Sequence, residues 1–322
     1  MKSIVIYYSL TGNTKQIAEA IHTGISKTDE KCEIARLEEV DFQKLQNYHL
    51  IGIGSFVSGF QEPAEVTDFL NAMPDLKGKY GFSFCTHGTC AGSYINRTVK
   101  ALRRKGLTVT GWNDWYGGGF IPFMVTPYYT DGHPDEIDLR EARDFGRKII
   151  NLSHRISKGE TQLIPRLPRK EKYDRLYGIP LPVSEEMSKA LAVIGKLKPR
   201  YNAEKCKYPK CTICMDNCPT HSINLSKSPP ISHETCGPCF IWFCEQLCPT
   251  GAIEVDWEIM DKLEDLMKSR YGQLAKSMIE FKNIRRFRNL VPPAEEDQAK
   301  PLYKIKKHPR LIMRDGIAKL RI

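Results

Sequence analysis

Eight of the chain's eleven cysteines fall within 206–248, in two runs of the same design. Cys206, Cys211, Cys214 and Cys218 precede Pro219, and Cys236, Cys239, Cys244 and Cys248 precede Pro249. Corresponding cysteines lie 30, 28, 30 and 30 positions apart, and the words CPTHSI and CPTGAI close the two halves. This is an internal duplication of metal-ligand positions. Thiolates are soft donors that suit zinc or iron–sulfur centres, and a region required to hold them cannot also be an ordinary apolar core.

The runs resemble the bacterial two-cluster ferredoxin signature, in which three close cysteines are followed by a cysteine-proline pair whose sulfur serves the other half's cluster. The separations here are four, two and three residues, then two, four and three. Carried over by position, the resemblance implies two [4Fe-4S] clusters, one on Cys206, Cys211, Cys214 and Cys248, the other on Cys236, Cys239, Cys244 and Cys218. Ile213, Ile223, Phe240, Phe243, Leu247 and Ile253 are expected to exclude water from them. Two structural zinc ions are the competing reading. Disulfides would suit a secreted scaffold, but no apolar signal segment precedes the first expected strand, so a reducing cytoplasm is expected.

At the other end, IVIYY lies within an expected strand over 2–8, followed by SLTGNT and an expected amphipathic helix to about 27. Such a pair opens a parallel α/β domain. Ser9, Thr11, Asn13 and Thr14 offer side-chain donors, Gly12 permits close backbone approach, and the free amides at a helix start suit a phosphate. Residues 5–21, including Tyr7, Ser9, Gly12, Thr14, Ala18 and Ile21, resemble the flavodoxin fingerprint. The resemblance implies flavin mononucleotide (FMN) and a doubly wound parallel sheet of order 2-1-3-4-5, with the cofactor beyond the carboxyl ends of strands one and three.

Further strands are expected at about 31–36, 49–54, 79–85 and 107–112, with helices at 63–72, 92–105 and 135–157. By family analogy two loops flank the flavin ring: GSFVSGF, contributing Ser55, Phe56, Val57, Ser58 and Gly59, and CTHGTCAG, contributing Thr86, His87, Gly88 and Gly92. Phe56 is a candidate to stack on the ring or to pack in the core, and His87 to stabilise its loop or to assist proton uptake, because histidine exchanges a proton near neutral pH. The glycine- and aromatic-rich stretch 113–134 is expected as a long connection, with Trp115, Tyr116, Phe120 and Phe123 covering the flavin or forming a satellite core.

The expected organisation is therefore a flavodoxin-like α/β domain over 1–157, a proline-interrupted wrapping connector over 158–199, an α+β dicluster ferredoxin-like domain over 200–256, and a helical, basic extension over 257–322. An amphipathic helix is expected over 258–281. The pairing resembles the EFR1-like family of flavodoxin–ferredoxin fusion proteins, which implies intramolecular electron transfer and a role as redox carrier or reductase component. The alternative is an FMN-dependent reductase acting on a small organic substrate.

The formal charge is +10. Two clusters with their thiolates would contribute about −4 and a phosphomonoester up to about −2, leaving about +4, so basicity is a weak sign of nucleic-acid binding. Its placement is more telling. Residues 281–322 hold twelve Lys or Arg against four Asp or Glu, which reads either as a solvated basic tail or as a docking surface for an acidic redox partner. Low-potential donor and acceptor proteins are the expected partners, with no nucleic acid. No apolar stretch is long enough to span a bilayer, and no GxGxxG word supports direct use of a nicotinamide nucleotide.

Overall fold

The computed structural model describes the chain except residues 29–30, 120, 123, 179–182, 219, 237–241, 281–286, 297–299, 302–303 and 305–322. By contacts it divides into two units. The first comprises Met1–Gly119, Tyr129–Pro180 and Ser277–Val291; the second comprises Phe120–Tyr128, Leu181–Lys276 and Pro292–Ile322. Among the described residues no helix is long and apolar enough to cross a membrane.

The first unit is built on five parallel strands: β1 (Ser3–Tyr8), β2 (Cys32–Arg36), β3 (Leu50–Phe56), β4 (Tyr80–His87) and β5 (Thr108–Tyr116). Their order is β2-β1-β3-β4-β5, as the fingerprint implies. Every residue of β1 is buried, because helices cover both faces and such a strand reads as a continuous apolar run. The covering helices include α1 (Asn13–Ser26), α2 (Ala64–Ala72), α3 (Tyr94–Arg104) and α4 (Glu136–Ser157).

Glycines set the two closest approaches in this unit. In β3, Gly52 and Gly54 sit beside Phe82 and Phe84 of β4 in register. A Cβ at either glycine would come within 2.0 or 2.2 Å of the neighbouring ring. Helices α1 and α4 pack backbone to backbone: a Cβ at Gly24 would lie 2.0 Å from the Arg143 carbonyl oxygen, and one at Gly146 would lie 2.3 Å from that of Ile21.

Three expectations change. Strand five runs on to Tyr116, because its pairing with β4 continues to the His87–Tyr116 register. Trp115 therefore lies in the core, its ring edge-on to Phe145 of α4 at 5.6 Å, rather than in a covering loop. The proline-rich first part of the connector is not irregular throughout: the proline-free word KEKYDRLY forms α5 (Lys170–Tyr177) just beyond Pro168, while the helix expected over 184–197 is present as Glu185–Ile194. The expected helix over 258–281 is two helices, Glu258–Asp261 and Glu264–Glu280, with Leu263 donating back to the Met260 carbonyl at 3.0 Å. Phe120 and Phe123, and the basic tail beyond 304, lie outside the described residues.

One stretch near the chain's end belongs to the first unit. Arg288 forks onto both carboxylate oxygens of Asp135 at 2.6 and 2.7 Å and reaches Asp138 at 2.9 Å. His133 sits between the Asp138 carboxylate (2.5 Å) and the Arg288 carbonyl (2.8 Å), so both its nitrogens face acceptors. Phe287 packs edge-on against Tyr116 and Tyr129. The Arg288 guanidinium, opposed by burial, holds the Asp135 carboxyl well below the usual carboxylate range.

The second unit is smaller in its elements. A two-stranded ladder pairs Arg200–Tyr201 with Ile253–Glu254, and the four-residue helices Ile213–Asp216 and Phe243–Gln246 pack together. Its apolar centre gathers Cys214, Cys218 and Cys244 with Ile223, Leu225, Ile231 and Ile253.

Two outcomes follow from these contacts. Gly146→Ala should destabilise the chain by about 1–3 kcal/mol through overpacking, read as a lower thermal midpoint. Arg288→Ala should release 287–291, read as faster amide hydrogen exchange there. In the parent chain the same release should begin as pH falls below about 4, because a depressed carboxylate stabilises the folded form above its ordinary range and loses that effect on protonation.

Candidate functional site

Three loops meet at the carboxyl ends of β1, β3 and β4. The first is Ser9–Thr14. Gly12 takes φ 91°, donates its amide to the Ser9 hydroxyl at 3.2 Å, and precedes α1 without any side-chain cap. The first turn of α1 contains no acidic residue, so its amides and the positive end of its dipole are uncompensated by the protein. The Asn13 side-chain amide donates to the Gly118 carbonyl at 2.9 Å, and the Thr14 hydroxyl lies 2.7 Å from that of Thr86. This set of amides and hydroxyls fits a phosphate chemically.

The second loop is a tight turn. Ser58 and Gln61 exchange both backbone hydrogen bonds around Gly59 and Phe60, whose φ values are 56° and 65°. The third runs from His87 to Gly92, and it touches the second directly. The Ser93 amide donates to the Phe60 carbonyl at 2.8 Å, and the Val57 amide to that of Thr86 at 2.8 Å. Gly92 has φ 57°, and a Cβ there would lie 2.3 Å from the Phe60 carbonyl oxygen.

Not every expected flavin contact has a free side chain. Ser55 is buried, and its hydroxyl lies 2.9 Å from the Phe56 carbonyl and 3.1 Å from the Tyr94 hydroxyl of α3, both within hydrogen-bond reach. Phe56 is half-buried and stacks on Tyr8 at 5.6 Å. His87 places Nε2 2.8 Å from Asp114 of β5, while its buried Nδ1 has no hydrogen-bond partner among the described residues. Thr11 and Gly88 sit in the first and third loops.

Sequence reasoning missed a clamp on the third loop. Its Gly92 amide donates to the Tyr177 carbonyl at 2.7 Å, and the Tyr173 hydroxyl donates to the Gly92 carbonyl at 3.1 Å. Burial is the main cause that pushes the Tyr173 hydroxyl's pKa upward. Both tyrosines come from α5, and their spacing of four residues was the available signal.

The cysteines of the second unit converge in part. Cys206, Cys211 and Cys214 from the first repeat line one pocket with Cys248 from the second, together with Tyr201, Ile213, Leu225 and Ile253. Burial, then the neighbouring thiols of Cys248, Cys206 and Cys211, pushes the Cys214 thiol up to about 12. Cys248 goes the other way. Burial would raise it, but hydrogen bonds from Thr250, Ile253 and Ala252 outweigh that and hold it below the ordinary thiol value.

The duplication repeats in these hydrogen bonds. The Ser222 amide donates to Cys218 Sγ at 3.3 Å and the Ala252 amide to Cys248 Sγ at 3.1 Å, each from four residues on. Thr220 and Thr250 place their hydroxyls 3.5 and 3.7 Å from the same two sulfurs. Cys236 packs against the same apolar centre, as do Cys206 and Cys248, and Cys239 lies outside the described residues.

Among the described residues, the donor atoms of only one group of His, Cys, Asp or Glu lie mutually within 4.8 Å: His133, Asp135 and Asp138. That group already surrounds Arg288, which supplies the positive charge.

Comparison with known proteins bears on the first unit. Residues 4–107 match the family model described as a flavodoxin domain. They form a flavodoxin-like domain. A flavodoxin from Clostridium beijerinckii is 24% identical over 151 residues, which are 46% of this chain and 99% of that protein. A flavodoxin from Megasphaera elsdenii is 26% identical over 110 residues, 33% of this chain and 80% of that protein. Among solved structures, an archaeal flavodoxin covers 48% of this chain and 99% of its own at 23% identity, with a TM-score of 0.39. The solution structure of two-electron reduced Megasphaera elsdenii flavodoxin covers 46% and 98% at 22% identity, with a TM-score of 0.37. A flavodoxin-type fold fits FMN binding and a general redox role.

Gly92→Ala should force the second and third loops apart and weaken FMN binding about tenfold or more, a loss of about 1.4 kcal/mol, measured by flavin titration of apoprotein. Gly78→Ala strains a positive-φ residue with open space around it and should leave FMN affinity unchanged.

Proposed function

We propose that this chain passes electrons between two [4Fe-4S] clusters held by the duplicated cysteines and an FMN held by the flavodoxin-like domain, acting as a redox carrier or reductase component. The observation that carries this reading is the pocket in which Cys206, Cys211 and Cys214 meet Cys248 from the other repeat. That mixed set is the one the ferredoxin signature requires.

The cysteine-proline pairs that close both repeats favour iron–sulfur centres over zinc, which also accepts four thiolates. Charge gives a second support. Four ionised sulfurs in one half-buried pocket repel, and a bound metal centre replaces the protons that would otherwise neutralise them.

The FMN would supply chemistry that accepts or releases one or two electrons. The protein's part is to bind and orient it. The Ser9–Thr14 loop would take the phosphate, with Thr11 and Thr14 hydroxyls beside the free amides of α1. The turn at Val57, Ser58 and Gly59 and the loop at Thr86, His87, Gly88 and Gly92 would frame the ring edge. In the second unit, the Ser222 and Ala252 amides donate to the Cys218 and Cys248 sulfurs, and such donors are suited to a ligating sulfur.

Anaerobically prepared protein should contain about eight iron, eight sulfide and one FMN per chain, and zinc in the cysteine sites or no flavin would defeat the proposal. Paired substitutions test the crossed ligand sets. Cys211→Ser with Cys248→Ser should cost about half the iron, and Cys239→Ser with Cys248→Ser nearly all of it. The reverse pattern would show that each repeat holds its own metal.

A further inference from the structure

The flavodoxin-like domain carries a basic face that the sequence did not announce, since its charges come from two separate segments. On α3, Lys100, Arg103 and Arg104 point outward, and along 161–178 Arg166, Arg169, Lys172 and Arg175 do the same. Three hydrogen bonds join the segments: Arg103 donates to the Pro165 carbonyl at 3.1 Å, the Asn96 amide to the Tyr173 hydroxyl at 3.0 Å, and the Gly92 amide to the Tyr177 carbonyl at 2.7 Å. The cations are thereby fixed on one surface.

Six of them have no carboxylate partner among the described residues: Lys100, Arg104, Arg166, Arg169, Lys172 and Arg175. The acidic residues in 161–178 are Glu171 and Asp174, and Asp174 is already engaged by Lys170 at 2.8 Å. Lys172 and Arg175 line an open depression with Glu171 and Leu176. Like charges held together without internal compensation raise the energy of the isolated protein and create a positive potential that an external anion lowers.

The face adjoins the loops that would frame the flavin. Tyr173 and Tyr177 of α5 bond to Gly92, and Gly92 abuts Phe60. We propose that the surface formed by α3 and α5 is the docking site for an acidic redox protein that exchanges electrons with this domain. The inference rests on the flavin reading above and adds its partner. The chemistry of the face favours a protein over other polyanions. The exposed large apolar side chains of the described residues are Ile137, Val193 and Tyr208, all outside these two segments. The face therefore presents no exposed aromatic platform for stacked bases and no apolar wedge for a lipid surface. Charge complementarity of this kind gives fast, salt-sensitive encounter and rapid release, which suits a carrier.

The test uses the full-length holoprotein and an acidic plant-type [2Fe-2S] ferredoxin as probe. Stopped-flow measurement should show electron exchange that slows as ionic strength rises, and calorimetry at low salt should show binding. Lys100→Glu with Arg104→Glu, and separately Lys172→Glu with Arg175→Glu, should each lower the second-order rate about tenfold or more and weaken the salt dependence. FMN content and reduction by dithionite should stay unchanged. The two variants lie on different helices, so a folding defect in one leaves the other as the test.

Parent-like rates in both variants would overturn the docking site, as would charge-sensitive binding of oligo(dT) or phosphatidylserine vesicles in place of the ferredoxin. Charge-sensitive ferredoxin binding without electron exchange would keep the site and defeat the electron-transfer reading beneath it.

Discussion

The candidate flavin site depends on how closely β3 and β4 can lie. Two phenylalanine rings of β4 occupy the space where side chains at Gly52 and Gly54 of β3 would otherwise stand. This fit carries the ends of both strands to adjacent positions, so that the turn around Gly59 and the loop ending at Gly92 meet without an intervening side chain. Parallel strands cannot be joined by a short turn, so such loops always emerge at one edge. Here the glycines determine that the edge is narrow. Thr14 then ties the phosphate-type loop to the same edge through Thr86.

The second unit works under an opposite constraint. Its centre is apolar in its isoleucines and leucine, yet it also encloses thiol sulfurs. Local donors meet two of them: the amide four residues beyond Cys218 and the one four residues beyond Cys248 point at the sulfur. The same donors recur in both repeats, so the hydrogen-bonding pattern was duplicated along with the cysteines. Cys214 and Cys248 show the two sides of the balance, one raised by burial and neighbouring thiols, the other lowered by its donors.

Much of the first unit was legible because its signals are local. A buried strand followed by SLTGNT and a helix is contained within 2–27, and the sheet order follows from the fingerprint in that stretch. The duplicated cysteine runs were legible from spacing alone, while the crossed ligand sets came from resemblance. What escaped was long-range. The continuation of β5 through Trp115 and Tyr116 depends on an available edge of β4, and no property of 113–116 alone distinguishes that from a loop. Helix α5 hid between prolines that dominate the local composition. Arg288 was read as one more charge in a basic run, because the acceptors at Asp135 and Asp138 stand 150 or more positions earlier. His87 was noticed, but its partner Asp114 was not, since their adjacency arises from strand pairing.

The docking of Arg288 and Phe287 gives the chain an unusual itinerary. After an earlier excursion over 120–128, the polypeptide leaves the first unit after 180, builds most of the second, and re-enters the first at 277 before leaving again. The cysteine-bearing stretch is thus bounded on both sides by chain that belongs to the first unit, so the integrity of this protein is partly a matter of its connectivity.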